Sequence, residues 1–415
     1  MRLKFMGRSA TAITLIALFA GPYSTAVAAP EKTAPPPNTP TVEAPEQTSP
    51  ESPPPPQISL IIIGPGEDIH SLYGHAVLAV RQPGETQERA QTYNFGVTDF
   101  EGSLKRFVMG RAEFRGTVAP YGELLADWRG QDRDVVRYPL NLSPKAARRL
   151  AARAQHDVRP EHTHYVYDPF RANCAIKLRD LIDTYAGGAV YGALGNAPIG
   201  RSFRDDVRAA YANHPSLLFL SEVLPGVSLD TARTQWELGY LPAHLERGLL
   251  AVNLEDGLSL LGAPVVDHSR VGPDPRDGWP HTAQTLLALF ALLLGLLAFY
   301  APRLGARARG YILSALVLAY SVLGVLLLVL HATTDWPDMR VNWLLAVVLP
   351  LDAFLFWPAL RLALRAQAPG RKTRRYLIFR MGLTGLVVIL TPLVLAGPWA
   401  PKWVAMAGLI AAWRL

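Results

Sequence analysis

Residues 165–185 read YVYDPFRANCAIKLRDLIDTY and place the chain's only cysteine at the mouth of a helix. Asn173 is a strong N-cap residue, so Cys174 falls in the first turn, where free backbone N–H groups and the helix dipole favour a thiolate. Leu178, Leu181, Ile182 and Tyr185 recur at helical spacing on the cysteine's face, while Lys177, Arg179, Asp180 and Asp183 take the other. The sulfur is therefore expected to point toward whatever the helix packs on, as a nucleophile must. A lone cysteine is also readable as a small buried hydrophobe, and the residues before it decide between the two.

Upstream, Ile58–Ile63 is a buried-strand run stopped by Gly64-Pro65-Gly66. A second strand, His75 to Val80, carries His75, Val77 and Ala79 on one face, and the Pro83-Gly84 loop returns the chain to a third strand around Thr92–Phe95. Helices are expected at Ser103–Met109 and Tyr121–Trp128, then a strand at Val135–Leu140. Ser143-Pro144 opens a helix to about Val158, and a strand at Thr163–Tyr167 leads into the cysteine helix. Strands and helices alternate without a βαβ rhythm, so the expected class is α+β. Residues 195–280 mix helix signals, Arg201–Ala212 and Pro242–Leu254, with loops, and Gly272-Pro273-Asp274-Pro275 reads as a linker.

The chain changes character at both ends. Arg2, Lys4 and Arg8 precede the apolar run Thr11–Ala20, and Ala26-Val27-Ala28 is a small-residue cleavage site, so residues 1–28 read as a signal peptide. Residues 29–57, rich in Pro, Glu, Thr and Ser, read as a disordered linker. Five apolar stretches close the chain, at about 282–301, 311–331, 342–360, 376–396 and 399–415. Each approaches the ~20 residues of a spanning helix except the last, which is shorter. A catalytic domain over 58–280 and a membrane domain of four to five helices over 281–415 are therefore expected. The loop 302–310 holds Arg303, Arg307 and Arg309 and the loop 361–375 holds five Arg and one Lys, whereas 332–341 nets −1. Positive loops lie inside, which puts the N-terminal domain outside, and seven of the nine tryptophans sit at span ends as an aromatic belt.

Charge excludes one class of partner. Of the chain's net +7, the thirteen Lys/Arg and three Asp of 282–415 and the three cations of the signal peptide leave residues 29–281 at −6. An acidic exported domain is a poor binder of nucleic acid, and none is expected as a partner. One cysteine also rules out an intramolecular disulfide.

A histidine opening a strand and a cysteine opening a later helix are two parts of an activated-thiol site. Around them stand SLYGHAVLAV (71–80), TYNFGVTDF (92–100), RFVMGRAEF (106–114), LNLS (140–143) and YVYDPFRANCAIKLRDL (165–181), followed by SFRDDV (202–207) and QWELGYLPAHL (235–245). With His331 and Asn342-Trp343-Leu344 in the membrane part, these resemble in order and spacing the Lnb-type lipoprotein N-acyltransferases. The resemblance implies a permuted papain-like fold for the periplasmic domain, like that of NlpC-type hydrolases and lecithin-retinol-acyltransferase relatives. It makes Cys174 the nucleophile and His75 the base, with Asn94 fitting the place of the residue that orients the ring and Tyr93 and Asp99 as competitors. Tyr73 and Asn173 are supporting candidates, and the Cys174 amide is a candidate oxyanion donor.

His331 and Asn342 are carried over as candidates on the membrane side. Asp352, beside Pro350 near the middle of the third span, is either a functional intramembrane carboxylate or a neutral acid bonded to a neighbouring helix. His156, His162 and His164 are of ligand type but lack an accompanying Cys or carboxylate set, so no metal is expected, and no cofactor is required.

The resemblance implies a multi-pass protein of the bacterial inner membrane with its catalytic domain in the periplasm. Its acyl donor is a phospholipid, its intermediate a thioester on Cys174, and its acceptor the α-amine of the diacylglyceryl-cysteine of a diacylated lipoprotein. The alternative is a membrane-tethered papain-like cysteine peptidase or amidase acting on cell-wall peptides. Residues 58 to about 275 are expected to form a soluble unit.

Overall fold

The computed structural model describes residues 53–98, 104–196, 198–340 and 342–390, with 404, 406, 407 and 410 near the end. The signal peptide, most of the proline-rich segment, Asp99 and most of the fifth apolar stretch lie outside the described residues.

The N-terminal part is a sheet-rich domain. Seven strands, β1 (Gln57–Ile63), β2 (His75–Arg81), β3 (Gln91–Val97), β4 (Glu113–Pro120), β5 (Val135–Pro139), β6 (His164–Val166) and β9 (Val265–His268), pair antiparallel in the order β6-β4-β3-β2-β1-β5-β9. β7 (Pro198–Ser202) and β8 (Ala232–Thr234) form a separate ribbon. Both faces of β1 are covered, which is why it reads as an unbroken apolar run rather than an alternation. Ile58, Leu60 and Ile62 enter one core with Ala76, Leu78 and Val80, and Ile61 and Ile63 enter the other with Val77, Ala79 and Val135. The cysteine helix (Cys174–Tyr185) and the helix Pro144–Asp157 cover the first face, and Tyr121, Leu125 and Trp128 of the helix Tyr121–Gly130 cover the second.

Register then fixes where the histidine stands. Ile63, the last residue of β1, pairs with His75, the first of β2, so the imidazole sits at the end of the sheet. Gly74 immediately before it has φ +75, and a Cβ there would come within 2.9 Å of the Ile63 carbonyl oxygen, so only glycine makes this entry to the strand without strain.

The cysteine helix begins and ends where its sequence dictates. Its apolar stripe buries Leu178 and Ile182 completely, each worth about 1.5–3 kcal/mol over exposure. The polar face differs from the expectation at one residue. Arg179 is buried, because the segment Gln235–Tyr240 lies over it: its guanidinium stacks 3.8 Å from the Trp236 ring and donates to the Trp236 carbonyl at 2.7 Å.

In the C-terminal helical region three stretches are long and apolar enough to cross a membrane among the described residues: Thr282–Arg303, Ala306–Thr333 and Pro337–Arg365. The helix Arg371–Leu390 carries Arg371, Lys372, Arg374, Arg375 and Arg380 and is not one of them; the expected fourth span continues beyond it, outside the described residues. The third stretch is not the single helix expected over 342–360. It is broken into the turns Pro337–Arg340 and Leu344–Val347, a 3₁₀ segment Pro350–Leu355 and the helix Phe356–Arg365. Pro350 lacks an N–H and cannot continue a helix, so carbonyls around it are released. Arg380 takes them up, donating to the Val347 oxygen at 2.6 Å, and it pairs with Asp352 at 2.8 Å. Asp352 is therefore bonded to a neighbouring helix, paired with Arg380 and accepting from the Tyr376 hydroxyl at 2.9 Å. Non-helical backbone at this depth is tolerated when it is buried in protein and satisfied in this way.

The residues that follow the second stretch, 334–340 and 342, pack on the sheet-rich domain, and they include the loop that the charge pattern assigns to the exported side. Asp335 N donates to the Met109 oxygen at 2.9 Å, Arg111 pairs with Asp335 at 2.6 Å, and Trp336 packs edge-on against Phe107 at 4.9 Å. Asp338, 4% exposed, accepts from Arg171 at 3.1 Å and from the Ser228 hydroxyl at 2.6 Å. Asn342 Nδ2 donates to the Val223 and Leu224 oxygens at 2.7 and 3.0 Å. The stretch read as a linker is docked as well, with the Val271 and Gly272 N–H groups donating to Asp132 at 2.9 and 2.8 Å.

Candidate active site

Three of the residues singled out in the sequence converge. Cys174 Sγ lies 3.2 Å from His75 Nδ1, and His75 Nε2 lies 2.9 Å from Asn94 Oδ1. The tautomer follows from a fourth group. The Gly96 N–H donates to the same Asn94 atom at 3.0 Å, and a backbone N–H can only donate, so that atom is the amide oxygen. Nε2 must then carry a proton and donate, which leaves Nδ1 as the nitrogen that exchanges a proton with sulfur. Gly96 also makes room for the ring: a Cβ there would stand 2.7 Å from His75 Cε1. All three residues are half-buried.

Burial alone would push the Cys174 thiol up. The nearby His75 charge, the hydrogen bond from its ring and the backbone N–H groups of Ala76 and Ala175 outweigh this and hold the thiol below its ordinary range. For His75, burial pulls downward, but the Cys174 thiolate and the hydrogen bonds to Cys174 and Asn94 raise it above the usual imidazole value. The two shifts favour a thiolate–imidazolium pair, the reactive form of a cysteine nucleophile.

The other candidates take different places. Tyr93, next to Asn94 on β3, points to the opposite face and belongs to the core with Leu78. Asn173 spends its amide on structure: Oδ1 accepts from the Ile176 N–H at 3.0 Å, and Nδ2 donates to the Pro169 and Tyr240 oxygens at 2.9 Å each. Tyr73 stands edge-on to Tyr211 at 5.5 Å, its hydroxyl raised by burial first and by Tyr211 second. His331 Nδ1 meets the Arg340 carbonyl, and Asn342 and Asp352 make the contacts described above, so none of the three is brought to the cysteine. His156 and His162 stack on each other at 4.1 Å, and among the described residues no group of three or more His, Cys, Asp or Glu could hold a metal.

Two tyrosines that sequence reasoning did not single out do stand near the sulfur. Burial first, and the Cys174 charge second, raise the hydroxyls of Tyr165 and Tyr167 well above the ordinary tyrosine value. Tyr165 donates to the Phe95 carbonyl, and Tyr167 stacks on Phe114 at 4.0 Å. Their two-residue spacing in YVY, which puts both on one side of an extended segment, was the available signal.

Residues 47–210 match the family model of the Lnb N-terminal periplasmic domain. His75, Asn94 and Cys174 all lie inside the matched stretch, which supports the Lnb-type family. The match and the apolar helices together describe a membrane protein with a periplasmic domain. No curated protein and no solved structure matches the chain.

Because Asn94 acts on the ring and not on the substrate, Asn94→Ala is expected to retain partial activity, with Cys174 alkylation slowed less than by loss of His75. Rates equal to wild type in both assays would remove the orienting role.

Proposed function

We propose that this chain is a cysteine-dependent lipoprotein N-acyltransferase of the bacterial inner membrane. In this reading residues 58–280 are a periplasmic catalytic domain of permuted papain-like type, and residues 281–415 hold it at the outer leaflet as a multi-pass anchor. The observation that carries the proposal is the ordered contact of Cys174, His75 and Asn94 inside a stretch that matches the Lnb domain.

The chemistry follows from that order. The Cys174 thiolate attacks the carbonyl carbon of a phospholipid acyl ester; a C–S bond forms, the ester C–O bond breaks, and His75 Nδ1–H protonates the departing glycerol oxygen. The α-amine of the diacylglyceryl-cysteine then attacks the thioester. A C–N bond forms, the C–S bond breaks, Nδ1 takes the proton the amine loses, and the thiolate–imidazolium pair is restored. Asn94 holds the ring through both halves, and the Cys174 amide at the helix N-terminus is the group proposed to receive the carbonyl oxygen as it becomes anionic. Donor and acceptor are both bound to the membrane, so a site held at its surface gains a large effective concentration over a free enzyme.

The test is expression in cells that lack their own N-acyltransferase. Mass spectrometry of a lipoprotein N-terminus is expected to show one added acyl chain in amide linkage, and the intact enzyme trapped with a short-chain phospholipid to show one acyl group on Cys174. A protein that cleaves cell-wall peptides and never carries an acyl adduct would establish the peptidase instead.

A further inference from the structure

We propose that Arg133 forms an anion subsite beside Cys174 that receives the phosphodiester of the donor lipid, which selects glycerophospholipids over neutral acylglycerols. The inference rests on Cys174 being the nucleophile toward a lipid ester, and it adds what that lipid must carry.

Arg133 precedes β5 and is 6% exposed. Its Nε donates to the Gly64 carbonyl at 2.9 Å, and Gly64 directly follows Ile63, the strand partner of His75. The loop from Gly64 to Gly74, which delivers the chain to His75, is folded around this side chain. At Gly66 an added Cβ would lie 3.2 Å from Arg133 Cδ and 2.6 Å from the Ser71 hydroxyl. The guanidinium is thus fixed at the sheet end that also holds the imidazole.

Among the described residues no carboxylate pairs with it directly, although the charges of Cys174, Asp127 and Asp68 act on it from farther off. Nη2 is enclosed without a hydrogen-bond partner among the described residues. The acids on either side in sequence are committed elsewhere, Asp132 to the Val271 and Gly272 N–H groups and Asp134 to the Arg270 N–H at 2.8 Å. Burial pushes the group down to about 10, which still leaves it cationic at neutral pH, and its charge acts on both Cys174 and His75. The thiolate and imidazolium offset each other, and Arg133 adds a cation whose Nη2 no described group receives. An enclosed guanidinium N–H without an acceptor is destabilising, and a bound anion removes the penalty. Among acyl esters of the membrane, glycerophospholipids carry a phosphodiester a few bonds from the scissile carbonyl, and the planar guanidinium fork fits phosphate oxygens.

The test uses the full-length protein in detergent micelles and compares alkylation of Cys174 by anionic iodoacetate and neutral iodoacetamide. The wild-type rate ratio is expected to exceed that of a free thiol, to fall about tenfold in Arg133→Gln and to be largely kept in Arg133→Lys. Thioester formation from short-chain phosphatidylglycerol relative to the matched diacylglycerol should fall in parallel. Short-chain phosphatidylglycerol should also slow the iodoacetate reaction where inorganic phosphate at the same concentration does not; equal protection by both would replace the lipid with free phosphate and overturn the assignment. An unchanged ratio in Arg133→Gln, or equal slowing of both acyl donors as for an oxyanion donor, would overturn it as well. Should Arg133→Gln not fold, a wild-type ratio no higher than that of a free thiol is sufficient to reject the subsite. Slow reaction with iodoacetamide itself would instead strike the nucleophile reading, so the two failures are distinct.

Discussion

Cys174→Ala is expected to abolish N-acylation while leaving the protein folded and inserted. In the proposed mechanism Cys174 holds the acyl chain covalently, so its loss removes the two-step route and not merely part of its rate, a drop on the order of 10⁴-fold or more. The structural cost is small, about 1 kcal/mol, because one half-buried atom is removed at a helix end and neither the Asn173 cap nor the Leu178 and Ile182 contacts are touched. Lipoprotein mass together with the melting temperature separates the two effects. Acylation at the wild-type level in this variant would end the assignment of Cys174.

The second large effect concerns His75→Ala. In the wild type the thiol is held below its ordinary value, so alkylation is expected to stay fast as pH falls below ~8.5 and to decline only at a lower pH. Removing the imidazole deletes the charge and the hydrogen bond that lower it and leaves burial, which raises it. The midpoint of the pH–rate curve should therefore move upward past ~8.5, with alkylation at neutral pH slowed by at least about tenfold. Coincident curves for the two proteins would show that His75 is not the base.

Much of this site was legible because its determinants are local. An N-cap followed by an apolar stripe specifies the cysteine helix wherever it packs, and the bulky run before Gly64 specifies β1. Asn94 could be separated from Tyr93 only by knowing which face of β3 meets His75, and that depends on register with β2, not on either residue's own chemistry. The strand β4 was missed because Gly116 and Pro120 lower its local strand signal; Gly116 is there since a Cβ would press on the Phe95 ring at 2.9 Å, a contact set by the fold. Arg179 and Arg133 were hidden for the same kind of reason. Their burial comes from segments distant in sequence, Gln235–Tyr240 in one case and the Gly64–Gly74 loop in the other. The break at Pro350 was visible as a proline, but its stabilisation by Arg380 joins residues thirty apart.

The contact between Asp338 and Arg171 bears on the order in which the molecule can be completed. Arg171 lies three residues before the nucleophile, and its partner belongs to the segment that follows the second apolar helix. In the proposed topology, a chain exported as it is made presents the sheet, the histidine and the cysteine to the periplasm before residues 334–342 follow. In the same proposed topology, until two helices have entered the bilayer and that segment has returned to the outer side, the turn leading into Cys174 lacks its acidic partner and Phe107 lacks Trp336. Residues 58–275 alone would keep the contacts among Cys174, His75 and Asn94 and lose this brace, so in that topology the turn before Cys174 gains its last contacts only once the apolar helices have reached the membrane.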